Sequence, residues 1–194
     1  MDQALTMQDK AFKNIAPGKL GLWVFLIMDG LSFVAILIAA AFLRTNGAPW
    51  PQPGEVLNVP LTAVNTFVLL LSSYTMMKSL EAIKDNKHEK FINFLVLTLL
   101  LGGAFLVIQG FEYYHLIVEG FKPSSSIYAA CFYGATGFHG IHVLSGIIFI
   151  IYVLIAGING RFTSDNHLRV ETLTLFWHFV DLMWMLVFTV VYLL

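Results

Sequence analysis

The chain has 194 residues, 58% of them hydrophobic and 12% charged, with a formal net charge of −1 and a mean hydropathy of +0.77. Soluble domains carry about 25% charged residues, so this composition excludes a water-covered globular enzyme and, for want of a concentrated basic face, a nucleic-acid binder. A single cysteine, Cys131, excludes an internal disulfide and any site made from paired thiolates.

A helix needs about 20 mostly apolar residues to cross the hydrocarbon of a bilayer. Five stretches qualify: Leu20–Leu43, Pro60–Leu80, Phe91–Leu116, Ile127–Ile158 and Thr172–Leu194. Only helices satisfy their own backbone in lipid without closing into a barrel, so the expected fold is an all-α integral membrane bundle, one transmembrane domain over residues 1–194. The N-terminus is mixed in charge and its first apolar stretch is far longer than a signal-peptide core, which predicts no cleaved leader. The longest connection, Arg44 to Val59, holds Pro49, Pro51, Pro53 and two glycines and reads as an ordered, non-helical crossing. One set of connections carries Lys10, Lys13, Lys19, Lys78, Lys84, Lys87, Lys90, Arg161 and Arg169, and the other only Arg44 and Lys122. Cytoplasmic loops keep Lys and Arg, so the N-terminus is expected inside and the C-terminus outside.

Ionisable groups within spans are costly and need a reason. In the first span Asp29 lies near mid-membrane, where an ionised carboxylate costs about 2.5–3.5 kcal/mol on insertion scales. It is read as a paired structural group, with proton access or a lipid headgroup contact as the functional alternative. In the third span Gln109 and Glu112 are three apart and share a face; Tyr113, Tyr114 and His115 follow and fit an interfacial aromatic belt. In the fourth, His139 and His142 are also three apart. Neutral imidazoles bind metals or haem, but His-x-x-His alone is an incomplete coordination sphere. Gly134, Gly137 and Gly140 beside them describe a seam that lets another helix approach, with the imidazoles hydrogen-bonded to carboxylates of neighbouring helices. In the last span Trp177, Asp181 and Trp184 form one stripe. His178 and Asp181, three apart, fit an internal polar clasp.

These motifs, in order, resemble subunit III of the haem–copper terminal oxidases: Asp29 in the first span, Gln109-Gly110-Phe111-Glu112-Tyr113, Ala135-Thr136-Gly137-Phe138-His139-Gly140-Ile141-His142-Val143, and Phe176-Trp177-His178-Phe179-Val180-Asp181 with Trp184. The resemblance runs from about Leu20 to Leu194. It implies a non-redox subunit with no cofactor of its own. Its expected contacts are the haem- and copper-bearing subunit I, then subunits II and IV, with structural phospholipids bound between them. Such a subunit sustains proton uptake and protects the catalytic centre while the complex oxidises cytochrome c, or alternatively a quinol, reduces oxygen to water and pumps protons. It also implies that Asp29 lies close to His142. Many cytochrome c oxidase relatives have Glu at that position, whereas Asp also occurs in quinol oxidase relatives. Seven-span relatives carry two further N-terminal helices, so the five-span form suits the inner membrane of a bacterium.

Three other readings compete. An accessory protein of nitric oxide reduction shares this fold. A b-type cytochrome would use His139, His142 or His178 as axial ligands. A small proton channel or transporter would work through Asp29, although internal repeats and broken helices, the usual signs of a transporter, are not evident.

Overall fold

A computed structural model describes residues 17–47 and 49–194; Lys10 and Lys13, used above for orientation, lie outside the described residues. The described chain is helical with no strands. Five helices are long and apolar enough to cross a membrane: α1 (Pro17–Thr45), α2 (Val59–Lys84), α3 (His88–Val118), α4 (Ile127–Ile158) and α5 (Leu168–Phe188), the last continued by a π-helical turn, Thr189–Leu193. The crossing loop departs from the non-helical expectation, because Pro53–Val56 form a single helical turn with Pro53 at its start. Proline's fixed φ suits the first helical position, where its missing N–H would be unpaired anyway.

Local chemistry sets the helix ends. Asn58 caps α2 by accepting from the Leu61 N–H at 3.2 Å, and Ser126 caps α4 by accepting from the Ala129 N–H at 3.0 Å. Three helices end on a left-handed residue, Asn86 (φ 56°), Gly120 (φ 90°) and Gly160 (φ 69°). In each case the next N–H reaches back five residues: Lys87 to Ala82, Phe121 to Leu116, Arg161 to Ala156. That is the Schellman closure.

The helices meet through side-chain hydrogen bonds as well as packing. In lipid, helices associate through van der Waals contact and interhelical hydrogen bonds rather than through exclusion of water. The α2–α3 hairpin is stitched along its length by Asn65 Nδ2 to the Phe105 carbonyl (3.2 Å), Thr75 to Thr98 (2.8 Å) and Ser79 to the Phe91 carbonyl (3.0 Å). The indoles of Trp177 and Trp184 on α5 donate to Ser72 and Thr66 on α2 at 3.0 and 2.9 Å. Helix α1 is the outlier. It buries Leu26, Phe33, Leu37 and Ala40 against α4 and α5, and leaves Trp23, Phe25, Ile27, Met28, Leu31, Ile38 and Phe42 exposed. An ion pair, Lys19 Nζ to Glu171 at 2.8 Å, ties its start to α5. Both groups are about one-third exposed, so Lys19→Ala should cost less than about 1 kcal/mol and less still in high salt, checked by thermal unfolding at two ionic strengths.

The close-packing glycines are not those expected. Nothing lies within 4 Å of a Cβ built on Gly134 or Gly140, and Gly137 meets only the Tyr113 hydroxyl at 3.8 Å. The tight approaches are at Gly102, Gly146 and Gly157, where a Cβ would sit 2.7 Å from Trp177, Trp177 and Phe91 respectively. The reason is what stands opposite: an aromatic ring needs a missing side chain to lie flat against a helix. The Gly134–Gly140 run has no such ring facing it.

Candidate functional site: polar groups between the helices

The buried polar groups fall into levels that can be followed along α5, from Trp177 through Trp184 to Tyr192. Consecutive levels are seven or eight residues apart, about 10–12 Å at helical rise.

At the Tyr192 level, Glu112 is buried (8% exposed) and takes three donors from three elements. Thr62 Oγ1 of α2 donates at 3.0 Å, Gln109 Nε2 of α3 at 2.8 Å, and the Tyr192 hydroxyl at 2.9 Å. A carboxylate is acceptor-only and has lone pairs for all three. Gln109 and Glu112 therefore do share a face and a bond. Thr62 and Tyr192 complete the cluster, and neither was singled out from the sequence. Tyr113 departs from an interfacial anchor: its hydroxyl bonds Thr136 at 2.6 Å inside the bundle, while Tyr114 is exposed. Tyr192→Phe should cost about 1–3 kcal/mol, the usual cost of removing a donor from a buried charged or polar acceptor, read as a lower melting temperature with helix content unchanged.

At the Trp184 level, His139 is buried (1% exposed) with neither ring nitrogen hydrogen-bonded. Its ring lies 4.8 Å from Trp184, tilted by 35°, and meets Phe105 edge-on at 5.9 Å. It touches no carboxylate, which corrects the expectation that both imidazoles bond to acidic partners. His142 is 60° further round α4 and faces α1. Its Nε2 lies 3.1 Å from both oxygens of Asp29, and its Nδ1 lies 2.7 Å from the Phe138 carbonyl. A carbonyl only accepts, so Nδ1 carries hydrogen. Phe33 and Phe138 flank the ring at 5.1 and 4.7 Å, and only 12% of His142 and 11% of Asp29 side-chain surface is exposed. The closeness implied by the resemblance is met, with Asp reaching His142 directly.

At the Trp177 level, the fully buried indole lies between Gly102 of α3 and Gly146 of α4. The expected His178–Asp181 clasp is not formed. His178 Nδ1 bonds the Ser73 hydroxyl of α2, and both carboxylate oxygens of Asp181, which is 4% exposed, have no hydrogen-bond partner. The cause is geometric: three residues rotate a side chain by 300°, which turns His178 toward the α1–α5 groove and Asp181 inward. The double-mutant cycle of Ser73→Ala with His178→Ala should show coupling of about 0.5 kcal/mol or more, and that of His178→Ala with Asp181→Asn none. Comparable coupling in both cycles would restore the clasp.

Two surface grooves lie beside these groups. One of about 460 Å³ opens between α1 and α5, apolar along Leu37, Ile38, Leu186 and Val190, with Arg44 and Trp50 at its end. The Trp50 indole N–H has no partner. The other, of about 450 Å³, lies beside Glu112 and is lined by Glu55, Asn58, His115 and Glu119. Among the described residues, no three His, Cys, Asp or Glu side chains gather where they could hold a metal ion.

Five membrane-length helices with their ionisable groups turned inward, toward one another or toward aromatic rings, define a polytopic membrane protein whose polar chemistry serves the bundle. A family model described as cytochrome c oxidase subunit III matches residues 4–194. The chain is 39% identical over 176 residues to a cytochrome bo(3) ubiquinol oxidase subunit 3 of Pseudomonas aeruginosa, spanning 90% of this chain and 83% of that one. It is 35% identical over 176 residues to a cytochrome c oxidase subunit 3 of Synechocystis (90% and 74%), and 33% identical over 183 residues to that of Drosophila melanogaster (89% and 67%). The chain belongs to the cytochrome c oxidase subunit III family and is a subunit III of a haem–copper oxidase.

Proposed function

We propose that this chain is the non-redox membrane subunit of a bacterial terminal oxidase, packed on subunit I with subunits II and IV alongside. The haems and copper reside in those partners, and the whole chain acts as one transmembrane domain with its N-terminus inside. The observation that carries this reading is that the ionisable groups deepest in the bundle are either taken up by neutral donors inside it, as Glu112 is, or closed off from open space, as His139 and Asp181 are. Such groups hold helices in register and offer no open position to a substrate. Asp29 and His142 differ: they bond one another across α1 and α4 at a lightly packed helix, which suits a group that supports proton uptake by the neighbouring subunit. The apolar α1–α5 groove, ending on the Arg44 guanidinium and the free Trp50 N–H, suits a phospholipid tail and headgroup.

Cytochrome c is the proposed electron donor of the complex. A quinol is the alternative, favoured by Asp29 and by the relatives from Pseudomonas aeruginosa and Pseudomonas putida, both named ubiquinol oxidase subunits. The complex captured through a tag on this chain should consume oxygen with reduced cytochrome c and not with ubiquinol. The opposite preference would assign the complex to the quinol oxidases.

A further inference from the structure

We infer that a single water molecule is bound inside the bundle between α2 and α3, held by the side-chain oxygens of Asn65 and Gln109. Both residues are buried, at 1% and 5% exposure, and neither amide oxygen has a hydrogen-bond partner among the described residues. The antiparallel register of the α2–α3 hairpin sets the two residues opposite one another. Thr62 bonds Glu112 and, further along, Thr75 bonds Thr98. Three residues on from Thr62 along α2 stands Asn65, and three residues back from Glu112 along α3 stands Gln109.

The nitrogen of each amide fixes which way its oxygen is turned. Asn65 donates from Nδ2 to the Phe105 carbonyl at 3.2 Å, one turn before Gln109. Gln109 donates from Nε2 to Glu112 at 2.8 Å and to the Tyr192 hydroxyl at 3.3 Å, while that hydroxyl gives its own hydrogen to Glu112. Turning either amide over would set its oxygen against another acceptor, the Phe105 carbonyl in one case and the Glu112 carboxylate in the other. Both orientations are therefore held. Two amide oxygens only accept, so they cannot bond one another directly.

Whatever joins them has to bring two hydrogens and be small enough to lie between facing helices. Water meets both conditions, and buried waters ordinarily serve polar groups that the protein leaves unsatisfied. An unpaired acceptor is costly in a membrane interior, where no bulk solvent can reach it, and one water relieves two of them. The groove of about 450 Å³ beside Glu112 gives the molecule a way in, because Glu112 lines that groove and also bonds Gln109. Once bound, the water holds the Gln109 amide with its nitrogen toward Glu112, and so belongs to the support of that carboxylate.

The test is a cryo-electron-microscopy map of the intact oxidase complex at a resolution that shows ordered waters. One peak should lie within about 3.2 Å of both Asn65 Oδ1 and Gln109 Oε1, the reach of a hydrogen bond. In Asn65→Leu, which nearly keeps the side-chain volume and removes one of the two acceptors, that peak should be lost. If Asn65→Leu does not assemble, the map of the parent complex decides by itself. No peak in the parent, a direct bond between the two side chains with one amide turned over, or a peak undiminished in Asn65→Leu would each overturn the inference. So would a peak that strengthens when sodium in the buffer is replaced by rubidium, since that marks a cation.

Discussion

Trp177→Ala is expected to be the most damaging single truncation in the chain, lowering stability by about 3–5 kcal/mol, the range for emptying a large aromatic from a packed core. The indole is fully buried and joins three partners at once: the Gly102 backbone of α3, the Gly146 backbone of α4 and, through its N–H, the Ser72 hydroxyl of α2. Truncation leaves a flat slot whose two walls carry no side chains, so nothing adjacent can collapse into it. The reverse substitution tests the same slot. A Cβ on Gly102 or Gly146 would lie 2.7–2.8 Å from ring carbons of Trp177. A rigid ring clamped on both sides cannot swing away, so Gly102→Ala and Gly146→Ala should each cost about 1–3 kcal/mol. Gly134→Ala, where the space is open, should fall within about 0.5 kcal/mol of the parent. Circular-dichroism melting of the detergent-solubilised variants checks the ranking. A Gly146→Ala protein that melts like the parent would mean the slot is looser than its distances imply.

The second large effect is expected at Asp29. Asp29→Ala leaves His142 with its Nδ1–H still bonded to the Phe138 carbonyl and its Nε2 facing only aromatic rings and lipid-side surface. Breaking a buried charged pair by removing one partner costs about 3–5 kcal/mol, and the 11–12% exposure of this pair puts it at the lower end of that range. The cost falls on α1, the helix with the least packing to spare. Initial oxygen consumption by the complex should stay near normal, because the reacting centre is in another subunit. The active lifetime over many turnovers should shorten several-fold, or proton uptake should slow, as α1 loosens. Asp29→Glu keeps a carboxyl within reach and should restore most of the endurance, which a purely steric role for Asp29 would not produce. Unchanged endurance in Asp29→Ala would remove the pair from the mechanism.

The spans were legible because twenty apolar residues in a row have few other uses. The interior was legible only in part. Three pairs at i, i+3 spacing were read as sharing a face, of which only His178–Asp181 was expected to bond internally, and it is Gln109–Glu112 that bonds. His139 and His142 part company, as do His178 and Asp181, because different neighbouring helices stand opposite each member, whereas Gln109 and Glu112 face the same cluster. Which helix stands opposite is a tertiary fact. The same holds for the glycines: Gly134, Gly137 and Gly140 announce a seam by spacing, yet the rings lie against Gly102, Gly146 and Gly157. One signal was available and unused. The second span is the least apolar of the five, with a mean hydropathy of 1.3. Its Thr62, Asn65, Thr66, Ser72, Thr75 and Ser79 recur at helical spacing and are all buried. In hydrocarbon such a stripe has to face protein, so it marks α2 as the helix onto which α3 and α5 bond. Tyr192, by contrast, gave no local cue, since a tyrosine near a span end is ordinarily an interfacial anchor.

The most direct measurement is the optical spectrum of the material captured by a tag on this chain under gentle detergent, taken before and after the chain is stripped from its partners. A large haem-bearing subunit should co-purify, with the haem band following that subunit and the separated chain colourless. A haem or copper signal that stays with the separated chain would mean that His139, His142 or His178 ligates a metal, and would contradict a bundle held by side chains alone.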